Sequence, residues 1–259
     1  MKRKILYVPM HLSTGGSPEW LRQLIKISML DNEVFVAEFN NYGSYNIQKN
    51  KIIDLVGKSS YECIGPCFSD NWKEERQRLW DIIQEFKPDV IHFNEIPENF
   101  EYNGFPEGLL EKIYSEDRSY KILETCHDNA FTFDRKVHHP DAYVCVSDYH
   151  PRKIKEVLPN AKCYIWDYDI PKKERPDRER TLMSLGLDPN KLHVLNVGLF
   201  HENKNQKFIY DIAQQITDKD VQFHFIGNDC YLCNCGIENT DLPNCKVWGE
   251  RNDVDTFYS

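Results

Sequence analysis

The sequence predicts an α/β chain: one complete Rossmann-like parallel-sheet domain followed by part of a second. Three observations predict it. Short apolar runs alternate with helical apolar spacings along nearly the whole chain, the pattern of parallel strands joined by right-handed crossovers. The pattern breaks at Ile170–Arg180, IPKKERPDRER, where two prolines and dense charge leave no apolar face. That composition suits a linker, which sets domains at 1–170 and 171–259. Finally, glycines or polar residues stand where strands end, at Gly15-Gly16, Glu95, His127, Ser147, Lys204 and Gly227. Open parallel sheets bind ligands at that edge.

Taken in order, Ile5–Pro9 is the first strand and HLSTGGS a glycine-bearing loop. The next helix carries start signals: Ser17 as cap, Pro18 at the first helical position and Glu19 in the first turn. Leu21, Leu24, Ile25, Ser28 and Met29 form its buried face, and Glu33–Phe39 is the second strand. Residues 40–70 are polar and aromatic and give no assignment. Helix Asn71–Phe86, strand Val90–Phe93, helix Glu107–Tyr114, strand Tyr120–Thr125, strand Ala142–Val146, helix Pro151–Leu158 and strand Lys162–Trp166 follow.

The pattern restarts with helix Thr181–Leu185. Leu192–Val197 is an apolar run of the kind a parallel sheet buries on both faces. Its loop holds Gly198 and Lys204, and Asn203 or Asn205 can cap the next helix. Phe208, Ile209, Ile212, Ala213 and Ile216 make that helix's apolar stripe. A loop leaving a strand and feeding a helix N-terminus offers backbone N–H groups and partial positive charge, and Lys204 adds a full charge, so an anion fits there. Strand Val221–Ile226 ends at Gly227; strand Lys246–Trp248 and a short helix near Val254–Tyr258 close the chain.

A net charge of −9 argues against a broad nucleic-acid surface. No window is apolar enough for a membrane helix, and MKRKILYVPM reads as a strand, not a signal peptide. Nine cysteines, an odd number, fit a reducing cytoplasm better than a disulfide framework. Cys230, Cys233, Cys235 and Cys245 admit two readings, a zinc site or free loop thiols.

Seven segments in this order resemble the two-domain GT-B glycosyltransferases that use nucleotide sugars, in the retaining group 1, family 4-like class. STGGSPEWL is similar to the family's first glycine loop and PDVIHFNEIPE to its "PDVIHxH" strand. ETCHDNAF resembles the strand ending in the active-site histidine, and YVCVSDYHPRKI the "VSxxxR" segment. VGLFHENKNQ is similar to "VGRLxxEKN", FHFIGND to "xxIVGDG", and KVWGERNDVDTFYS to "VxFxGxxxDVxxxY". Three departures stand out. Leu199 replaces the usual phosphate-binding arginine. YIWDYD lacks the asparagine and glycine of "VIPNGVD". The sequence stops before the acidic E-x7-E segment, so the resemblance implies a truncated or split enzyme, its C-terminal part supplied in trans.

The resemblance implies transfer of a sugar from a nucleoside diphosphate sugar to an acceptor hydroxyl, with retention and without a metal or other cofactor. Gly15 and Gly16 would lie against the diphosphate or the acceptor, and His127 against the donor sugar. Lys204 would neutralise the departing diphosphate. Gly198 and Gly227 would border the donor, and Gly249, Glu250 and Arg251 would surround the nucleobase. Glu95 could orient the acceptor hydroxyl or act as base. Two other classes compete. One is a non-catalytic nucleotide-binding module or half of an assembly. The other is a dinucleotide oxidoreductase, which would need a GxGxxG turn that is absent.

Overall fold

The computed structural model describes residues 2–43, 45–65, 70–100, 104–167, 176–237 and 242–258. The chain divides into two compact units, Met1–Ile170 and Pro171–Ser259.

In the first unit β1 (Lys4–Pro9), α1 (Gly16–Ser28), β2 (Glu33–Glu38), α2 (Ile47–Val56), β3 (Tyr61–Cys63) and α3 (Trp72–Phe86) precede β4 (Val90–Asn94). Next come α4 (Leu109–Ile113), β5 (Lys121–Cys126), β6 (Ala142–Cys145), α5 (Tyr149–Val157) and β7 (Cys163–Ile165). Seven parallel strands lie in the order β3-β2-β1-β4-β5-β6-β7, with Ile5 of β1 in register with Val34 on one side and Val90 on the other.

Side chains alternate across this sheet, as strand geometry requires. Leu6 and Val8 join Phe39, Leu79, Ile82, Ile83 and Phe93 on the α3 face. Tyr7 joins Trp20, Leu21, Ile25, Val34, Val36 and Ile52 on the α1 and α2 face. Both faces of β1 are therefore covered, and its apolar run is a central strand.

Several boundaries move. α1 begins at Gly16, so Gly15 holds the cap position and Ser17 lies inside the helix; no side chain caps it. Residues 40–70 contain α2 and β3, which sequence periodicity misses because α2 fully buries only Ile52 and β3 is three residues long. α3 stops at Lys87, which adopts a left-handed conformation at φ 52°.

The second unit holds α6 (Arg178–Ser184), β8 (Leu192–Val197), α7 (Gln206–Gln215), β9 (Val221–Ile226) and β10 (Cys245–Gly249). Residues 170–175 of the expected linker lie outside the described residues, and its end is helical: Asp177 caps α6 by accepting from the Arg180 N–H. The three strands are parallel, in the order β10-β9-β8.

Two expectations fail here. β8 is not buried on both faces; among the described strands it lies at the sheet's edge, with Leu192 62% exposed. The stripe assigned to α7 is also rotated. The helix buries Gln206, Tyr210 and Ala213 and leaves Phe208, Ile212 and Ile216 exposed. Both failures have one cause: β9 is the central strand, so α7 packs its Tyr210 side against Phe223 and Phe225.

Candidate active site

In the first unit the loop after β1 is fixed from below. Glu38, 1% exposed, accepts the Leu12 N–H at 2.9 Å and is held by Lys49 at 2.6 Å and the Tyr61 hydroxyl at 2.5 Å. The loop delivers Gly15 and Gly16, both exposed, to the start of α1. Pro18 has no N–H to offer, so the N–H groups of the first turn belong to Gly16 and Ser17.

Beside that turn sits His127, which follows β5. Its Nε2 lies 3.1 Å from Asn94 Oδ1, and Asn94 Nδ2 donates to Ser17 Oγ at 3.0 Å. The Trp20 ring meets the imidazole edge-on, with centroids 5.1 Å apart. Burial, with His92 and His150 nearby, lowers its pKa to about 3, so the ring is neutral at physiological pH. His92 is neutral for the same reason and meets Thr125 Oγ1 at 2.7 Å.

Glu95 follows β4 at φ 154°, a region that side chains rarely adopt. Its carboxyl accepts the His127 backbone N–H, while Oε2 is buried with no hydrogen-bond partner among the described residues. Burial, reinforced by Asp128, pushes its pKa up to about 8. Asp128 is itself held by Asn99 Nδ2 at 3.0 Å and the Ala130 N–H at 2.7 Å.

A buried ion cluster joins the loop after β4 to the segment after β5. Lys136 Nζ contacts Glu98 at 2.6 Å and Glu124 at 2.9 Å, and Glu98 also accepts the N–H groups of Val137 and His138. Glu38, Asn94, Glu98 and Lys136 were not singled out from sequence; each acts through partners far along the chain.

In the second unit three glycines stand at three strand tips. Gly198 N–H donates to Ile226 O at 2.9 Å, and Gly227 N–H donates to Gly249 O at 3.0 Å. A Cβ on Gly227 would lie 1.9 Å from Gly198 O, and Gly249 has φ 71°. The loop after β8 is braced by Gln206, fully buried, which accepts the His201 N–H and donates to Leu199 O. Asn205 takes the cap position of α7 in a left-handed conformation, without a capping side-chain bond; Asn203 lies in the preceding 3-10 turn. Lys204 is exposed and forms no ion pair with a described residue. Glu250 Oε1 is buried with no hydrogen-bond partner among the described residues. Arg251 is clasped by Asp253 at 2.7 and 2.8 Å beside the rings of Trp248 and Phe257.

Each unit thus gathers its own candidates at its own sheet edge: Gly15, Gly16, Glu95 and His127 in the first, Gly198, Lys204, Gly227, Glu250 and Arg251 in the second. Among the described residues no group of three or more His, Cys, Asp or Glu side chains could hold a metal ion. Cys233 is exposed, Cys235 buried and Cys245 half-buried, and the Cys230 side chain lies outside the described residues. No described helix is long and apolar enough to cross a membrane.

No family model matches the sequence, and no curated protein matches it. Solved structures do. A glycosyltransferase from Rickettsia africae matches at TM-score 0.65 and 13% identity, over 99% of this chain and 70% of that one. Anabaena HepE in complex with UDP-glucose matches at TM-score 0.66 and 14% identity, over 98% and 71%. A UDP-N-acetylglucosamine 2-epimerase from Rickettsia bellii matches at TM-score 0.61 and 12% identity, over 99% and 72%. The chain has the GT-B fold. At such identities the likeness shows the fold alone. The β1 loop with Gly15-Gly16 and the β8 loop with Lys204 are each the first strand-to-helix turn of their unit.

Proposed function

We propose that this chain is a glycosyltransferase that moves a sugar from a nucleoside diphosphate sugar to an acceptor hydroxyl, with retention and without a metal ion. The observation that carries the reading is the GT-B fold over 98–99% of the chain, shared with HepE bound to UDP-glucose. The second unit supplies what a departing diphosphate needs: an α7 N-terminus without a capping side chain, glycine-lined strand tips and the exposed Lys204. Gly198, Gly227, Glu250 and Arg251 would border the nucleotide. In the first unit the neutral His127 would hydrogen-bond the donor sugar. Glu95, its pKa raised to about 8, would orient the acceptor hydroxyl in its protonated form, and its ionised form, populated as pH rises toward 8, would take the hydroxyl proton. The exposed Gly15 and Gly16 would face the diphosphate or the acceptor. The new bond joins the acceptor oxygen to the anomeric carbon as the bond from that carbon to the diphosphate breaks. We further place the protein in the cytoplasm, where its cysteines stay reduced.

The test follows UDP-glucose and a panel of other nucleoside diphosphate sugars by proton NMR with sugar acceptors, in the presence and absence of EDTA. A new glycoside with the donor's anomeric configuration, unaffected by EDTA, is expected. An intact donor with every acceptor overturns the transfer, and an inverted product overturns retention. A second reading, a nucleotide-binding part that acts only with a further segment, is favoured by the outer edge of β8. No described strand pairs there, whereas β4 fills the corresponding place beside β1. Donor binding without turnover selects that reading.

A further inference from the structure

We propose that Asn94 is a positioning residue that fixes the tautomer of His127 and couples that ring to the first turn of α1. A buried neutral imidazole has two tautomers, and the hydrogen bond made by one ring nitrogen selects between them. The Asn94 side chain, at the end of β4 and 1% exposed, spans three elements. Its Nδ2 donates to Ser17 Oγ at 3.0 Å and its Oδ1 faces His127 Nε2 at 3.1 Å. An amide oxygen only accepts, so this arrangement requires the proton on Nε2 and makes Nδ1 the lone-pair side of the ring. Trp20, edge-on at 5.1 Å and 85°, holds the ring plane. Burial keeps the imidazole neutral, so the choice of tautomer matters.

Ser17 follows Gly15-Gly16 directly. The turn that presents backbone N–H groups and the ring that follows β5 are therefore two hydrogen bonds apart. Asn94 lies 77 positions from Ser17 and 33 from His127, so no local pattern announces the relay. What His127 does in sugar transfer rests on the function proposed above; its tautomer does not.

The full chain, labelled with 15N-histidine, tests the relay by long-range proton–nitrogen correlation without any ligand. Wild type is expected to show His127 as a single Nε2–H tautomer from pH 5 to 8. Asn94→Leu and Ser17→Ala are expected to lose that single form and show both tautomers. In Asn94→Asp the carboxylate favours the imidazolium, and the His127 titration is expected to move up by at least one pH unit. A wild-type Nδ1–H form overturns the proposal. So does an unchanged Nε2–H form in Asn94→Leu with a native circular dichroism spectrum. If Asn94→Leu does not fold, Ser17→Ala decides alone, because it removes only the anchor of the amide. Nucleotide-sugar binding, measured separately, bears on the proposed function and leaves this result untouched.

Discussion

Gly198 and Gly227 face each other at neighbouring strand tips, and only one of them must be glycine. A Cβ on Gly227 would strike the Gly198 carbonyl at 1.9 Å, backbone against backbone, whereas on Gly198 the nearest atom is Gln206 Nε2 at 3.7 Å. Gly227→Ala is expected to destabilise the second unit by about 1–3 kcal/mol, the range for forced overpacking. Gly198→Ala should stay within about 0.5 kcal/mol. Urea unfolding of both variants checks this; equal losses would contradict the close approach. Lys136 gives a second contrast. Its ammonium is fully buried between Glu98 and Glu124, so Lys136→Met leaves the Glu98 carboxylate without its countercharge and Glu124 without its donor, and should cost about 3–5 kcal/mol. Adding Glu98→Gln and Glu124→Gln should recover most of that loss in the same assay. The strand-tip glycines, Glu95 and His127 were legible because they end apolar runs. Glu38, Asn94 and Gln206 were not, because each is a buried polar side chain whose purpose appears only when a distant segment arrives beside it.

At the scale of elements, the existence of nearly every strand and helix follows from period and length. What failed was the burial of β8 and α7. A run such as LHVLNV reads as central, but its burial depends on how many strands flank it, and here β9 is the centre. The stripe on α7 includes Phe208, which is 59% exposed, while Tyr210, absent from the expected stripe, is buried. Tyr210→Ala is therefore expected to cost about 3–5 kcal/mol, as for a buried aromatic side chain, and Phe208→Ser less than about 0.5 kcal/mol. Thermal melts that reverse this order would return α7 to the orientation its sequence suggests.

Across the molecule, titrating groups in the first unit predict a stability maximum near pH 6.5. Burial lowers His92 and His127 to about 3 and His11 to about 4. Their unfolded counterparts take up protons near 6.5, so the unfolded state binds more protons below that pH, and stability falls with pH through the folded values. Glu95, raised to about 8 by burial and Asp128, acts the other way, as does Glu124, raised by burial. The protonated folded forms contribute stability that is complete below the unfolded carboxyl pKa and is lost as pH rises through the folded one. Burial also lowers His150, so the lowered histidines outnumber the two raised carboxyls and stability rises between roughly pH 4.5 and 6.5, with the reverse sign above. Tryptophan-monitored urea midpoints from pH 4.5 to 8 should rise and then fall; a steady rise to pH 8 would show Glu95 ionised in the folded chain.

The central claim is that the strand tips of the second unit serve a nucleoside diphosphate sugar, with Lys204 carrying the positive charge that the loop before α7 offers to its phosphates. Calorimetric titration of a nucleoside diphosphate sugar panel into wild type and Lys204→Ala tests it most directly. The account predicts saturable binding of at least one member, weakened tenfold or more in Lys204→Ala. No binding by any member, or equal affinity in the two proteins, would contradict it.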